Sequence, residues 1–507
     1  MKKTKFIFIT GGVYSSLGKG ITASSIGRIL KEMGFIVAMQ KLDPYLNVDP
    51  ENISPYQHGE VFVTNDGAKA DLDLGNYERF TDHNLNKYST ITSGRIYQEV
   101  LQNERDGKYN GKTVQVVPHV TNQIISKLHL LAKTNKADFA IVEIGGTVGD
   151  LESLSFIEAI NQFGLEYGKN NVMYIHCVPL ISLQSVFGEL KTKPAQHSVK
   201  TLKSFGITPD MLVLRSPIEV DLDTIEKISW LCNIDKNKIF VNNDLDSIYF
   251  LPNVLYSQNI HLQIFNYFKI KKFNDNFNDW IQFTNKIKNI SNSSKKARIL
   301  LLGEYAELHD AYYSVITSLK LASYELNIDL KIDILSIRNF DVLKLKKYNG
   351  CILCPSNSEE TQNMNIHIMD WIIKNNFNTL IYSTAIEDLI LSIIKHNNLN
   401  INKNDLFVKQ KKMVLGKVDI INPNSTLLNI YKNCCLYERH HHWNEINNKY
   451  LEVLQKYTNI LGVDKNNNIH YLSVKNAENV IATYSNPEFS SKPNKANPLF
   501  IHLLKGV

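Results

Sequence analysis

The chain has 507 residues, of which 56 are Lys or Arg and 50 are Asp or Glu, for a formal charge of +6. This length predicts two or three domains, each able to bury its own core. So mild and dispersed a charge excess argues against a nucleic-acid partner and favours anionic small ligands. The six cysteines form no paired framework, and no run reaches the roughly 20 apolar residues of a membrane span. We therefore expect a cytoplasmic protein with no membrane contact.

Apolar runs alternate with amphipathic stretches from the start of the chain, which is the pattern of a parallel sheet wrapped by helices. The series begins with a predicted strand over residues 5–10 and a predicted helix over 21–33. Further strands are predicted over residues 35–40, 139–144, 172–177, 211–215 and 239–241. We place this first domain at residues 1–268.

A polar, basic segment rich in Asn and Ser follows at residues 269–297, and we interpret it as a linker. A second α/β series occupies residues 298–507. Its predicted strands are ILLLG after Arg298, 329–336, 351–355 and 379–382, and its predicted helices are 312–326 and 366–374. Cys351 and Cys354 form a C-x-x-C within one of these strands. Because no second ligand pair follows, a core role is favoured over a redox or zinc role.

A glycine-rich loop, GGVYSSLGKGIT at residues 11–22, joins the first predicted strand to the first predicted helix. Backbone N–H groups and a helix N-terminus can converge there on a phosphate. The loop departs from the Walker pattern, since Gly20 stands where Ser or Thr usually follows the lysine. Lys19 can neutralise charge on a transferring phosphoryl group. The alternative is a plain strand-to-helix connection.

A phosphoryl-transfer site also needs a divalent metal held by carboxylates. The candidates are Asp73, within DLDLG, and Glu143, at the end of the apolar strand FAIVEIGG. A charge at the end of so apolar a strand is normally paired or metal-bound. The alternatives are a solvated carboxylate at the strand end for Glu143 and an ordinary loop acid for Asp73.

Five long blocks of the sequence resemble the CTP synthase family. They are KLDPYLNVDPENISPYQHGEVFVTNDGA (41–68), DLDLGNYERF (71–80), VQVVPHVTN (114–122), VEIGGTVGDLES (142–153) and KTKPAQHSVK (191–200). The resemblance implies an α/β fold: a P-loop-like parallel-sheet synthetase domain, followed by an α/β domain of the class I glutamine amidotransferase type. It implies a ligase that aminates UTP to CTP with ATP through a 4-phosphoryl-UTP intermediate, the final step of de novo pyrimidine nucleotide synthesis.

The resemblance also implies roles for individual residues. Lys19 and Lys41 would lie at the transferred phosphoryl group, and Asp73 and Glu143 would hold Mg2+. The implied ATP-binding set is Ser16, Leu17, Gly18, Lys19, Gly20, Ile21, Asp73, Asn243, Asp244 and Leu245, in which Asn243 replaces the family's lysine. The implied UTP- and CTP-binding set, completed across subunits of a homotetramer, is Ser15, Asp150, Leu151, Glu152, Lys191, Thr192, Lys193, Pro194, Ala195, Gln196 and Lys227. His119 would lie near the incoming ammonia, or is a structural histidine.

Residues 303–320, GEYAELHDAYYSVITSLK, resemble the start of the family's glutamine amidotransferase domain, but the catalytic positions of that domain are altered. Ser383, in LIYSTAIED, stands at the cysteine position, and the histidine-proline-glutamate motif reads Asn486, Pro487 and Glu488. Residues 356–359, SNSE, replace the glycine-rich oxyanion loop. Asparagine cannot accept a proton as histidine does. Glutaminase activity, and the GTP activation that acts through it, are therefore doubtful.

Two further segments depart from the family. ERHHHWNE (438–445) carries Trp443 where an arginine is expected, and the segment before residues 411–416 is shortened. The three adjacent histidines could bind a metal. Consecutive residues of a strand face alternate sides, however, which favours solvated loop or interface residues.

Three functional hypotheses follow. The first is an ammonia-dependent CTP synthase whose second domain is structural, with ammonia taken up free or delivered by a separate glutaminase. The second is a glutamine-dependent enzyme in which Ser383 is the nucleophile. The third is a nucleotide-binding assembly protein without turnover, and the retention of Lys19, Asp73 and Glu143 argues against it.

Overall fold

The computed structural model describes residues 3–15, 17–182, 190–355, 358–409, 415–421, 425–441 and 444–506. Some residues singled out in the sequence lie outside this part of the chain: Ser16, Ser356, Asn357, Lys411, His442 and Trp443. The chain divides into unit 1, Met1–Asn52 with Asp73–Thr284, and unit 2, Ile53–Leu72 with Asn285–Val507. Among the described helices, none combines the length and the apolar character that crossing a bilayer requires.

The strands of both units are numbered in chain order. They are β1 (Lys5–Gly11), β2 (Val37–Asp43), β3 (Phe62–Val63), β4 (Lys69–Ala70), β5 (Thr90–Thr92), β6 (Phe139–Ile144), β7 (Val172–Pro179), β8 (Ile181–Ser182), β9 (Leu190–Lys191), β10 (Met211–Ser216), β11 (Ile239–Asn243), β12 (Lys296–Gly303), β13 (Asp329–Ser336), β14 (Gly350–Leu353), β15 (Thr379–Tyr382), β16 (Phe407–Lys409), β17 (Leu415–Ile420), β18 (Cys435–Arg439), β19 (Asn444–Ile446), β20 (Thr458–Val463), β21 (Ile469–Val474) and β22 (Ala477–Thr483).

The α-helices follow the same order. They are α1 (Lys19–Glu32), α2 (Pro55–His58), α3 (Asp73–Thr81), α4 (Ser93–Arg105), α5 (Thr121–Asn135), α6 (Leu154–Tyr167), α7 (Lys193–Ser204), α8 (Leu222–Cys232), α9 (Leu251–Ser257), α10 (Ile260–Phe268), α11 (Asn278–Asn289), α12 (Tyr313–Leu326), α13 (Glu359–Lys374), α14 (Ala385–His396), α15 (Lys403–Leu406), α16 (Thr426–Tyr431), α17 (Leu451–Leu454) and α18 (Pro498–Lys505).

Unit 1 is built on a parallel seven-stranded sheet in the order β11-β10-β7-β1-β6-β2-β5. Strands β1, β2 and β6 are buried almost throughout, and β1 and β6 are also largely apolar, as expected of central strands covered by helices on both faces. All parallel strands end at the same edge of the sheet. The ends of β1, β2 and β6 therefore bring the glycine-rich loop, Asp43 and Glu143 to one place.

Unit 2 contains a mixed nine-stranded sheet in the order β13-β12-β14-β15-β22-β21-β20-β17-β18. The strands from β13 to β22 pair in parallel, and those from β22 to β18 pair antiparallel. Cys351 and Cys354 are fully buried in this unit, which confirms their predicted core role. Both units are α/β, as the sequence predicts. Helix α13 begins well before the predicted residue 366, because the Ser358 side chain caps it by accepting a hydrogen bond from the Thr361 N–H.

Residues 53–72 lie within the predicted range of the first domain, yet they pack within unit 2. Glu60 accepts hydrogen bonds from the backbone N–H and the hydroxyl of Ser314. Arg439 donates to the carbonyl of Val63 at 3.0 Å and to the side chain of Asn65 at 2.7 Å. Nothing in the local sequence pattern signals these distant partners. The division of roles between residues 1–268 and 298–507 stays a prediction.

Helix α11 lies inside the range that we interpreted as a linker, and its first half belongs to unit 1. Trp280 is 1% exposed, and its indole N–H donates to the carbonyl of Tyr249 at 3.1 Å. Its ring packs against Phe80 and Phe283, with ring centroids 5.6 and 5.2 Å away. A buried aromatic residue of this size contributes substantially to the core, so this part of the range is structural.

We expect Trp280→Ala to lower the free energy of unfolding of unit 1 by about 3–5 kcal/mol, because it leaves a large cavity. Ile281→Ala is the matched control, since Ile281 is the next residue on α11 and is 37% exposed. Denaturant unfolding followed by circular dichroism measures both. Equal stabilities for the two variants would contradict the role assigned to Trp280.

Candidate functional site

The predicted phosphate loop lies between β1 and α1, at the carboxyl edge of the unit 1 sheet. Gly18 precedes the helix with φ +85°, a conformation that favours glycine. Lys19 is 7% exposed, and its Nζ donates to the carbonyl of Gly146 at 2.5 Å. Leu17 is buried and Ser15 is exposed. The lysine is therefore held at the mouth of the loop, where the sequence predicts it to meet a phosphate.

Gly20 lies directly against the two predicted metal ligands. A Cβ atom at residue 20 would lie 2.8 Å from Asp73 Oδ1 and 3.2 Å from Glu143 Oε2. A side chain at residue 20 would force the Asp73 carboxylate to move and would crowd that of Glu143. The departure from the Walker pattern thus has a steric reason, and α1, Asp73 and Glu143 form one cluster.

Lys41 completes the cluster from the neighbouring strand β2. Its ammonium group forms an ion pair with Asp73 and lies 3.7 Å from Asp43 Oδ1. The β2–β6 register pairs Lys41 with Glu143, so the sheet itself holds them side by side. The structure brings Lys19, Lys41, Asp73 and Glu143 together, which are the two lysines and two carboxylates singled out in the sequence.

Glu143 is buried at 3% exposure and accepts a hydrogen bond from the Tyr77 hydroxyl. Burial raises the pKa of Glu143 to about 7; Lys41 opposes the shift and Asp73 adds to it. A cation beside the two carboxylates would offset their repulsion and favour the ionised form. The donor set therefore fits a magnesium ion, which prefers carboxylate oxygens.

Tyr77 is a site residue that the sequence analysis missed. It lies four positions after Asp73 on α3, and residues at this spacing share one face of a helix. Burial raises the pKa of its hydroxyl well above the usual value, so Tyr77 stays a hydrogen-bond donor to Glu143. The spacing could have revealed it, had α3 been predicted to begin at Asp73.

His176, on β7, was also missed, and it joins strand β1 to helix α7. Its Nδ1 lies 2.8 Å from Thr10 Oγ1, and its Nε2 lies 2.7 Å from Ser198 Oγ. A Cβ at Gly12 would lie only 1.7 Å from Ser198 Oγ. Burial, followed by the nearby charge of Lys19, lowers the pKa of His176 to about 3. The histidine is therefore a neutral, buried link between β1, β7 and α7.

The predicted UTP segment forms β9 and the start of α7. Thr192 is the first residue before the helix, and its hydroxyl accepts a hydrogen bond from the Gln196 side chain at 3.0 Å. Thr192, Ala195 and Gln196 are buried, whereas Lys193 is exposed and Lys191 and Pro194 are half-buried. Lys227 is exposed on α8, which packs against α7. The basic residues thus face solvent around a buried framework.

The predicted product segment, Asp150 to Glu152, is exposed. On the predicted adenine side, Asp244 is exposed and forms an ion pair with Arg215, while Asn243 and Leu245 are half-buried. Arg215 Nε lies 3.9 Å from the Cβ position of Gly18, so this segment borders the phosphate loop. His119 accepts a hydrogen bond from the Gln115 N–H at 3.1 Å and packs on the ring of Tyr109.

In unit 2, Ser383 occupies a tight turn between β15 and α14. It is 4% exposed and has φ +56°, a conformation that is strained for a residue with a side chain. Asn486 donates to Glu488 Oε1 at 2.8 Å and accepts from the His441 N–H at 2.9 Å. Burial raises the pKa of Glu488 to about 8. The asparagine is thus fixed by neighbours and offers no titratable nitrogen.

The interpretation of the histidine run as solvated is wrong for His440. This residue is 3% exposed, and its ring lies 4.8 Å from that of His470, edge to face. It follows directly on β18, which leads the chain into the interior of unit 2. His441 is half-buried, and His442 is outside the described residues.

The comparisons with known proteins extend over both units. A family model for the CTP synthase N-terminus matches residues 5–270. A relative from Ureaplasma parvum serovar 3 is 47% identical over 532 residues, covering 100% of this chain and 97% of the relative. CTP synthases of Phytoplasma australiense and Bacillus mycoides KBAB4 are 42% and 40% identical. Each alignment covers 98% of this chain, with 95% and 97% of the respective relative.

We expect Gly20→Ala to weaken the binding of magnesium and ATP by at least about tenfold, because the new methyl group would displace Asp73 and Glu143. Gly27→Ala is the matched control. Gly27 lies on the same helix, α1, and a Cβ there would lie 3.0 Å from Met39 Sδ and 3.1 Å from Thr81 Cγ2, with neither carboxylate among its nearest atoms. Calorimetric titration with ATP in excess magnesium measures the effect. Similar affinities for the two variants would contradict the role of Gly20.

A second prediction concerns the acid sensitivity conferred by His176. Its folded-state pKa of about 3 lies below the ordinary value of 6.5. Below pH 6.5 the unfolded chain therefore binds a proton that the folded chain does not, and stability falls. On acidification from pH 7.5 to 5.5, His176 should lower the free energy of unfolding by about 1.4 kcal/mol.

Denaturant unfolding of unit 1 at the two pH values tests this. The free energy of unfolding that is lost between pH 7.5 and 5.5 should be about 1.4 kcal/mol smaller in His176→Gln than in the unsubstituted protein. His197→Gln, at an exposed position on α7, should leave the loss unchanged. An undiminished loss in His176→Gln would refute the argument.

Proposed function

The chain belongs to the CTP synthase family, and on that premise we propose that it makes CTP from UTP and ATP with free ammonia as nitrogen donor. The observation that carries the proposal is a contrast between two sites. In unit 1, Lys19, Lys41, Asp73 and Glu143 converge around Gly20. In unit 2, Asn486 stands where the resemblance places the catalytic base, and its side chain is held by Glu488 and the His441 N–H.

ATP would be bound by the loop between β1 and α1, with Asn243, Asp244 and Leu245 on the adenine side. The geometry of Lys19 supports this role, since its buried side chain and its hydrogen bond to the Gly146 carbonyl hold the ammonium group at the loop. Positive charge placed in advance where charge develops lowers the barrier to phosphoryl transfer. Lys41 would serve the same purpose from β2.

Asp73 and Glu143 would hold the magnesium ion, which supplies charge neutralisation for the phosphates. Tyr77 would orient Glu143 through its hydroxyl hydrogen bond. Buried carboxylates held by neighbouring side chains keep their geometry when a ligand arrives. Tyr77 is therefore a positioning residue, acting through Glu143.

UTP would bind with its triphosphate at the start of α7. Lys191, Lys193 and Lys227 offer positive charge there, and the buried contact between Thr192 and Gln196 supports the turn. Asp150, Leu151, Glu152 and Ser15 would contact the pyrimidine nucleotide. The site would be completed by another subunit of a homotetramer.

The reaction follows from the poor leaving group on the uracil ring. The 4-oxygen attacks the γ-phosphorus of ATP, and ADP leaves with the electron pair of the broken P–O bond. Ammonia then adds to carbon 4, loses its surplus protons and expels inorganic phosphate. The two lysines would stabilise the phosphoryl group during the first step, and the nucleotide contacts would align the reacting atoms.

Loss of glutamine hydrolysis is inferred from Asn486 and Ser383. A hydrolytic glutaminase needs a nucleophile and a base that removes its proton. Asn486 has no titratable nitrogen, and its side chain is already bonded to Glu488 and the His441 N–H. GTP activation, which depends on that hydrolysis, would be lost as well.

One observation favours the alternative of a glutamine-dependent enzyme. Ser383 lies in a strand-to-helix turn with positive φ. Hydrolases with a serine nucleophile place that serine on a strained turn of this kind. A serine placed in this way could attack glutamine if another group served as base. A direct comparison of nitrogen donors decides between the two.

We expect CTP to form from UTP, ATP and magnesium with ammonium chloride, and at most background levels with glutamine. Production of cytosine nucleotide, followed by chromatography, is the measurement. Lys19→Met should lower the ammonium-dependent kcat at least about 100-fold. Lys31→Met is the control on the same helix, since Lys31 pairs with Asp82 at 3.2 Å.

Equal turnover with glutamine, abolished by Ser383→Ala, would establish the alternative and refute the loss of glutaminase. No CTP with either donor, from a protein that still binds ATP, would refute synthetase activity itself.

A further inference from the structure

Three potential metal ligands meet in the interior of unit 2, at a place that the proposed function does not use. Glu445 lies on β19, Asp464 directly follows β20, and His470 lies on β21. One ligand atom from each lies within 4.8 Å of the other two. All three side chains are buried, with exposures of 4%, 5% and 0%.

The hairpin of β20 and β21 fixes two of these ligands. Asp464 Oδ1 accepts hydrogen bonds from the N–H groups of Asn466 and Asn468 at 2.8 and 2.9 Å. Its Oδ2 accepts from the Asn468 side chain at 3.1 Å and lies 3.9 Å from His470 Nε2. The carboxylate is therefore oriented by its own turn, as ligands of a prepared metal site are.

Glu445 is the residue that an ordinary ion pair does not explain. It is a buried carboxyl group beside a second one, and within the described part of the chain its Oε1 has no hydrogen-bond partner. A buried polar atom without a partner costs free energy. An ion pair between Asp464 and His470 alone would leave the burial of the Glu445 carboxyl group unexplained.

We propose that Glu445, Asp464 and His470 bind one divalent transition-metal ion, such as Zn2+, inside unit 2. One imidazole nitrogen and two carboxylate oxygens are accepted zinc donors, and a water molecule would complete a four-coordinate ion. Zinc–ligand distances of about 2.0–2.2 Å require the three atoms to close in by about an ångström. Rotation of the Glu445 side chain can provide most of this.

The ion would tie β19 to the β20–β21 hairpin. The His440 ring packs on that of His470. The next residue, His441, donates its backbone N–H to the Asn486 side chain. A metal would then stabilise the altered catalytic region without taking part in catalysis. This proposal stands independently of the nitrogen donor and of synthetase activity.

The test uses the full-length protein, freed of metal with a chelator and then titrated with ZnCl2. Calorimetry, with metal content measured after gel filtration, should show one tightly bound Zn2+ per chain and a higher Tm. Glu445→Gln and His470→Gln should each weaken this binding at least about tenfold and remove the Tm increase. Circular dichroism establishes that each variant is folded.

Two control variants separate this site from other zinc donors. Cys434→Ser removes an exposed thiol, and Glu143→Gln removes the carboxylate of the unit 1 cluster; neither should change the tight site. Glu445→Gln keeps the size of the side chain, so it remains informative if His470→Gln fails to fold. Weak, superstoichiometric binding that Cys434→Ser reduces and Glu445→Gln leaves intact would mean adventitious zinc only, and would overturn the proposal.

Discussion

The arrangement of unit 1 depends on the close approach of helix α1 to two carboxylates. Residue 20 lies so near these acids that a side chain there would displace Asp73 and crowd Glu143. The approach places the helix N-terminus, Lys19 and the acids in one small volume, where the parallel sheet ends. Opposite charges this close stabilise one another only when each is held in position, and Lys41, Tyr77 and the strand register provide that support.

The buried polar side chains of the two units differ in the partners that they have. In unit 1, each buried charge singled out for function has an oppositely charged or hydrogen-bonding neighbour. In unit 2, the region around Ser383 and Asn486 is buried and hydrogen-bonded, and Asn486 contributes no titratable group. A fold can persist after a site is lost, because the core depends on apolar packing and not on the catalytic side chains.

Unit 2 also holds a second group of buried polar side chains. His440 lies beside His470, which faces Asp464 across the hairpin turn, and Glu445 completes the group. Within the described part of the chain, Glu445 Oε1 has no hydrogen-bond partner, and a buried polar atom in that state destabilises the fold. The inferred metal ion would supply the missing interaction.

The sequence by itself determined the α/β class, the central strands and the family. Strands 139–144, 329–336 and 379–382 have the predicted bounds, because apolar runs and the alternation of apolar with polar residues are local signals. The four charged residues around Gly20 were also singled out from sequence. Only the tertiary structure decided that Tyr77 bonds Glu143, that His176 joins Thr10 to Ser198, that residues 53–72 pack within unit 2 and that His440 is buried. Each of these depends on contacts between residues distant in the chain or on the start of a helix, which local periodicity does not encode.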